Sequence, residues 1–280
     1  MNKKSIMSAP GFRPDKRLGQ HFLVEPDIIN KIIESARLND SDIVLEIGPG
    51  QGALTIPLAR SVGHLFAVEK DAFLTNILKK TISRAGITNV TLINYDILRW
   101  DFHEINLSSS KKIKVIGNLP YNISTPFIEK LIKNRNMVSR AILMFQSEVA
   151  RRLTASPGGK EYGAMTLRIK YHTLARVLIE VSRKAFYPRP KVDSMVLELD
   201  FEKPYPVRFS CEEIFNKVVK GAFAYRRKTI FNSLKTACPL WDQKMLFDIM
   251  EKCRIDVKRR AETLCMDEFL CLTNALQLTS

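Results

Sequence analysis

Val44-Leu45-Glu46-Ile47-Gly48-Pro49-Gly50-Gln51-Gly52 is the stretch that decides the fold. An apolar run bounded by a glycine cluster reads as a buried strand entering a tight turn, and a helical pattern resumes beyond Gly52. Glycine permits backbone conformations closed to other residues and lets the chain approach a ligand closely. Outward from this turn, short apolar runs alternate with helical patterns, which predicts a parallel α/β sheet. The expected strands cover 43–47, 65–68, 90–93, 114–116, 141–145, 177–181 and 195–199. The connecting helices are expected to begin near Gly52, Ala72, Pro126 and Gln146, with the Thr125 hydroxyl as an N-cap before Pro126. Only residues 182–194 separate the last two strands. That is too short for a crossover helix, so this pair is expected to be antiparallel. Pro204 and Pro206 mark a linker, after which helical patterns follow near 211–224, 226–235, 241–252 and 262–276. The predicted organisation is an α/β domain over 1–203 and a small all-α domain over 204–280.

Charge narrows the function classes. A formal charge of +15 on 280 residues favours a polyanionic partner. It is not spread evenly: residues 41–128 carry nine Lys/Arg against seven Asp/Glu, whereas 129–190 carry thirteen against four. Residues 1–20 add Lys3, Lys4, Arg13, Lys16 and Arg17 against Asp15. The basic excess therefore surrounds a near-neutral module. No apolar run reaches membrane-spanning length, and no lipidation motif or signal peptide precedes the strands, so a cytoplasmic protein without a membrane partner is expected. The five cysteines (Cys211, Cys238, Cys253, Cys265, Cys271) are odd in number and form no CxxC, which predicts free thiols and no metal site.

Two nucleoside cofactors compete for the glycine turn. Glu69 stands twenty-one residues after Gly48, at the end of the next expected strand, where a carboxylate accepts from ribose hydroxyls. Gly48-x-Gly50-x-x-Ala53 passes as a dinucleotide fingerprint. Against that, the third glycine falls at Gly52 and an acid, Glu46, lies two residues before the first. This E-x-G-x-G-x-G spacing resembles the S-adenosyl-L-methionine (SAM) loop of class I methyltransferases. Asp96, in Asn94-Tyr95-Asp96 after the third expected strand, is placed to accept from an adenine amino group; alone, it is equally a turn or cap residue. Together with Gly48 and Glu69 it favours SAM.

The sharpest chemical signal follows the fourth expected strand: Asn118-Leu119-Pro120-Tyr121. An exocyclic adenine amine is a poor nucleophile, because its lone pair is delocalised into the ring. Two acceptors aimed at its hydrogens favour the pyramidal geometry that attack on a methyl group requires. The Asn118 side-chain oxygen is one candidate. The carbonyl of Leu119 is the other, its residue held extended by the proline that follows. Tyr121 offers a stacking face worth about 1–3 kcal/mol. Such chemistry needs positioning rather than a general base, and the target base must leave its stack. Phe186, in Phe186-Tyr187-Pro188-Arg189-Pro190, is a candidate second aromatic wall or, equally, a core residue under a rigid loop.

These segments, with Leu18-Gly19-Gln20-His21-Phe22-Leu23 and the helical C-terminal region, resemble the KsgA (RsmA) family of ribosomal RNA adenine N6,N6-dimethyltransferases across essentially the whole chain. The resemblance implies a Rossmann-like methyltransferase sheet with an antiparallel last strand and SAM as cofactor. It also implies transfer of four methyl groups to two adjacent adenines in a hairpin loop near the 3′ end of 16S rRNA, within the 30S subunit or a late precursor. By the same carry-over His21, Leu23, Gly48, Gly50, Glu69, Asp96 and Asn118 contact SAM, and Asn118, Leu119, Pro120, Tyr121 and Phe186 surround the target base. Many relatives carry Asn where this chain has His21. Arg151, Arg152 and Lys160, flanking Ser156-Pro157-Gly158-Gly159, are expected to meet RNA phosphates. So are Arg226, Arg227 and Lys228, read as opening a helix; both clusters are otherwise ordinary solvated faces. A monomer is expected. The rivals are a large-subunit adenine methyltransferase of the macrolide-resistance type, a non-catalytic rRNA-binding assembly factor and a dehydrogenase.

Overall fold

A computed structural model of the chain describes residues 14, 19–107, 111–207, 209 and 212–278. The basic amino-terminal residues, Leu18 and Cys211 lie outside the described residues. By its internal packing the chain divides into two units, residues 1–150 with 175–202, and 151–174 with 203–280.

In the first unit β1 (Phe22–Leu23) leads into α1 (Pro26–Ala36), whose start is set by proline in the first turn and Asp27 beside it. Then follow β2 (Ile43–Ile47), α2 (Thr55–Ala59), β3 (His64–Glu69), α3 (Ala72–Arg84), β4 (Val90–Asn94), β5 (Ile113–Asn118), α4 (Ser124–Lys133), β6 (Val138–Gln146) and α5 (Ser147–Thr154), whose residues from Arg151 on belong to the second unit. After α6 (Ala164–His172), which belongs to the second unit, come β7 (Leu174–Val181), β8 (Phe186–Tyr187) and β9 (Ser194–Asp200). The main sheet has the order β4-β3-β2-β5-β6-β9-β7. Pairing is parallel from β4 to β6, and β9 runs antiparallel to β6. All seven expected strands are present, extended by up to three residues at their ends. The chain moves outward from β2 to β4 and then returns to β5 on the other side of β2. The carboxyl ends of β2 and β5 thus form the topological switch point, where open α/β sheets bind ligands.

Two local readings are corrected. Thr125 is not an N-cap: α4 starts at Ser124, so Thr125 and Pro126 lie inside its first turn, where the missing proline N–H has no helical partner to lose. Residues 182–194 are not plain loop, since β8 pairs antiparallel with β1, Leu23 opposite Phe186.

Among the described residues the second unit is built of helices: the end of α5, α6, α7 (Glu212–Ala222), α8 (Ile230–Ala237), α9 (Gln243–Lys252) and α10 (Met266–Gln277). The expected cut at 203/204 is incomplete, because residues 151–174 also belong here. The reason is apolar burial: Tyr162, Leu167 and Tyr171 share one core with Phe215, Phe269 and Leu272. Tyr171 stacks on Phe215 at a centroid distance of 4.4 Å. The expectation of free thiols throughout is also corrected, because Cys253 and Cys271 form a disulfide. The end of α9 and the middle of α10 bring their Cα atoms within 5.8 Å, a proximity that an 18-residue separation does not reveal. Cys238 is free and buried, and Cys265 is free and exposed. Among the described residues no helix is long and apolar enough to cross a membrane, and no cluster of side chains suits a metal.

Candidate active site

The glycine turn after β2 and the tetrad after β5 meet because Ile47 pairs with Gly117. Gly48, Gly50 and Gly52 all have positive φ, at 63°, 58° and 91°, which side chains disfavour. A Cβ on Gly48 would lie 3.6 Å from the Asn118 carbonyl, and one on Gly50 would press to 3.0 Å on the Phe22 ring. The turn thereby opens one cavity lined by residues 19–23, the glycine turn, Glu69, Lys70, Tyr95, Asp96 and residues 118–123.

Its walls are held by an ordered polar network. Glu69 is buried; its Oε2 accepts from the Gly50 N–H at 3.0 Å and its Oε1 from the Asp71 N–H at 2.9 Å. Burial pushes the Glu69 carboxyl up, against the stabilising effect of those N–H groups, and the nearby Asp71 charge adds to the rise. Glu69 thus clamps the glycine turn as well as facing the cavity. Asp96 is partly exposed. Burial acts to raise it, but the bond from Lys70 Nζ at 2.9 Å, the Leu98 N–H and the charges of Lys70 and Arg99 outweigh burial and lower it. Glu46 is fully buried on β2 and is pushed up to about 8 by desolvation, with the Glu69 charge adding to the rise. The Thr55 hydroxyl is the neighbour that lowers it, yet neither Thr55 Oγ1 nor Glu46 Oε2 reaches hydrogen-bonding geometry.

On the opposite wall Asn118 Nδ2 donates to the His21 carbonyl at 2.8 Å. A carbonyl only accepts, so the carboxamide orientation is fixed by chemistry and Oδ1 is its remaining acceptor. Leu119 is buried, and Pro120 enters the cavity rim. The Tyr121 ring lies 5.6 Å from that of His21 at an interplanar angle of 29°, and its hydroxyl is 3.2 Å from Ser194 Oγ. Burial raises the Tyr121 phenol against the lowering effect of Ser194. It therefore stays neutral at physiological pH and offers a ring face, not a base. His21 Nδ1–H donates to the Pro188 carbonyl at 2.7 Å.

His21, Leu23, Gly48, Gly50, Glu69, Asp96, Asn118, Leu119, Pro120 and Tyr121 are thus brought to one cavity. Phe186 is not. It is 2 % exposed and packs with Leu23, Ile32 and Val196 under the β1–β8 pair, so the core alternative replaces the aromatic wall. Sequence reasoning misses Gln20, Lys70 and Tyr95 as lining residues. Tyr95 and Lys70 each adjoin an acid assigned to the cavity (Asp96 and Glu69), which is the signal that could have found them.

In the second unit Arg226 Nη2 donates to the Lys160 carbonyl at 2.6 Å and pairs with Glu262 at 3.3 Å, bringing the two basic segments together. Arg226, Arg227 and Lys228 do not open a helix. They occupy the exposed turn before α8, whose N-cap is Thr229. Arg151 and Arg152 lie exposed at the end of α5, Arg152 3.9 Å from Glu161.

A glycine turn without Cβ atoms, an acid at the end of the next strand and a second acid after β4 suit a nucleoside cofactor, and this sheet order with an antiparallel β9 defines a Rossmann-like SAM-dependent methyltransferase. A family model described as ribosomal RNA adenine dimethylase matches residues 11–272. The chain is 44% identical to a ribosomal RNA small subunit methyltransferase A of Desulforapulum autotrophicum, covering 93% of this chain and 91% of that one. It is 40% identical to the protein of the same name from a Geobacillus species, over 98% and 95%. A crystal structure of a dimethyladenosine transferase from Plasmodium falciparum superposes with a TM-score of 0.77 at 29% identity, covering 90% and 95%. That of the 23S rRNA methyltransferase ErmE gives 0.70 at 23% over 91% and 99%, a likeness of fold. The chain belongs to the ribosomal RNA adenine dimethylase family, and its substrate is ribosomal RNA.

Proposed function

We propose that this enzyme dimethylates the N6 amines of two adjacent adenines in a hairpin loop near the 3′ end of 16S rRNA, acting as a cytoplasmic monomer on the 30S subunit or a late precursor. The observation that supports the reading is the fixed carboxamide of Asn118: its Nδ2 is held by the His21 carbonyl, and the residue lines a cavity shared with the glycine turn. Bound SAM supplies an electrophilic sulfonium methyl. His21, Leu23, Gly48, Gly50, Glu69 and Asp96 would hold it, Glu69 toward the ribose and Asp96 toward the adenine amine. Asn118 Oδ1 and the Leu119 carbonyl would accept the two hydrogens of the target amine, with Tyr121 as its stacking face. Positioning of this kind is a large source of rate, because it removes the entropy of bringing reactants together. The small-subunit names of the relatives favour 16S rRNA over the large-subunit alternative. Tritium transfer to undermethylated 30S particles and to 50S particles side by side, with nucleoside analysis, tests it: label in dimethyladenosine of 30S alone is expected, and label in 50S alone overturns it.

The basic surface of the second unit has a separate expected result. Reversing Arg151, Arg227 and Lys228 to Glu weakens RNA binding and flattens the log–log salt dependence, by about 0.7–0.9 for each phosphate no longer neutralised. Arg226 is left out because its guanidinium is engaged by Lys160 and Glu262. A filter-binding titration at several salt concentrations measures the slope; an unchanged slope returns these residues to ordinary surface.

A further inference from the structure

Residues 19–23 cross the cavity, and their attachments differ on the two sides. On one side the His21 carbonyl accepts from Asn118 Nδ2 at 2.8 Å, and β1 pairs with β8. On the other, Gln20 Nε2 donates to Asp71 Oδ2 at 2.8 Å, across 51 residues of sequence. Asp71 is a rigid anchor. Its Oδ1 accepts from the Phe73 and Leu74 N–H groups as the N-cap of α3, which leaves Oδ2 for Gln20. Its own N–H donates to Glu69 Oε1, and Glu69 Oε2 accepts from Gly50. A polar chain therefore runs from the glycine turn through Glu69 and Asp71 to Gln20, and the next residue along the backbone holds the Asn118 carboxamide.

We propose that Gln20 is a positioning residue: its clasp on Asp71 fixes the crossing segment so that the His21 carbonyl holds Asn118 with Oδ1, not Nδ2, toward the substrate amine. This rests on the function proposed above. Without the clasp the segment stays attached through β1, but the bond from Gln20 to Asp71 on the cofactor wall is lost. The Asn118 amide then samples orientations that present a donor to an N–H donor, which is unproductive. Turnover suffers more than binding, because the bond acts on geometry at the reacting amine.

The test is a swap. In Gln20→Glu two carboxylates face each other; in Gln20→Glu with Asp71→Asn the bond is restored with reversed polarity, and Asn remains a good N-cap. Gln20→Glu is expected to lower kcat at least tenfold with KM for RNA changed less than threefold, and the double variant to recover to within threefold of the wild type. Gln20→Met, which removes the bond without repulsion, is expected to lose three- to tenfold and keeps the test alive if the charged variant does not fold. Full activity in both single variants, or no recovery in the double, overturns the clasp. Wild-type chain that methylates no ribosomal RNA overturns the parent function instead. The clasp is then judged on the Asn118 side-chain amide signal by 15N NMR, assigned through Asn118→Ala. Slow hydrogen exchange in the wild type that accelerates at least tenfold in Gln20→Met is expected, and equal exchange in the two overturns it.

Discussion

Replacing Asn118 by Ala is expected to lower the rate of methyl transfer by about 10²–10³, the range found when one preorganised polar group facing a reacting atom is removed. The fold should survive, since Asn118 ends β5 at the cavity rather than in the core. Two consequences are combined in this variant: loss of the Oδ1 acceptor and loss of the bond to the His21 carbonyl. Asn118→Asp separates them from side-chain volume. It is nearly isosteric and keeps acceptor oxygens, but a carboxylate cannot donate to His21, so one oxygen would face another acceptor. A loss of similar size is expected, whereas a mere space-filling role predicts little change. Single-turnover tritium transfer into undermethylated 30S particles at saturating cofactor, with thermal denaturation alongside, reads both variants. Transfer within a few-fold of wild type in Asn118→Ala removes the site assignment.

The site was legible where chemistry is written locally. Gly48, Gly50 and Gly52 announce positive φ, Glu69 ends β3 and Asp96 comes just after β4, and Asn118-Leu119-Pro120-Tyr121 begins at the end of β5, the strand paired to β2. The inner strands β2, β3, β5 and β6 were legible because buried parallel strands are near-continuous apolar runs. What escaped depends on pairing across long separations. Phe186, in a proline-rich segment, stays open between an aromatic wall and a core residue until Leu23 pairs with it. Tyr162, Leu167 and Tyr171 belong to the helical unit because Phe215 and Phe269 complete their core, which no local pattern states. The Gln20–Asp71 bond and the Cys253–Cys271 bridge are of the same kind, and short-range periodicity carries no trace of either.

Replacing Glu46 by Gln is expected to remove a steep loss of stability with rising pH. The Glu46 carboxyl is pushed from an ordinary 4.5 to about 8, first by desolvation, opposed by Thr55 and reinforced by Glu69. Between those two values the native chain holds one proton more than the unfolded chain, so stability falls as pH rises. This contribution is fully present below about 4.5 and is lost as pH climbs through 8. At about 1.36 kcal/mol per pK unit, the wild type forfeits on the order of 3 kcal/mol from this group between pH 5 and 8. Gln is the same shape and neutral throughout, so its stability lacks that slope. Subtracting the two denaturant-unfolding curves at each pH cancels every other titrating group except Glu69, whose like charge is coupled to Glu46. The difference should grow toward alkaline pH in favour of the variant. Parallel curves would mean that Glu46 is ionised in the fold, and a charge beside Glu69 would then need a cation that neither residue is bonded to among the described residues. A neutral Glu46 makes better physical sense of the strand it occupies. β2 is buried along nearly its whole length, Glu46 itself is 1 % exposed, and an unpaired carboxylate there would cost more than the proton that neutralises it.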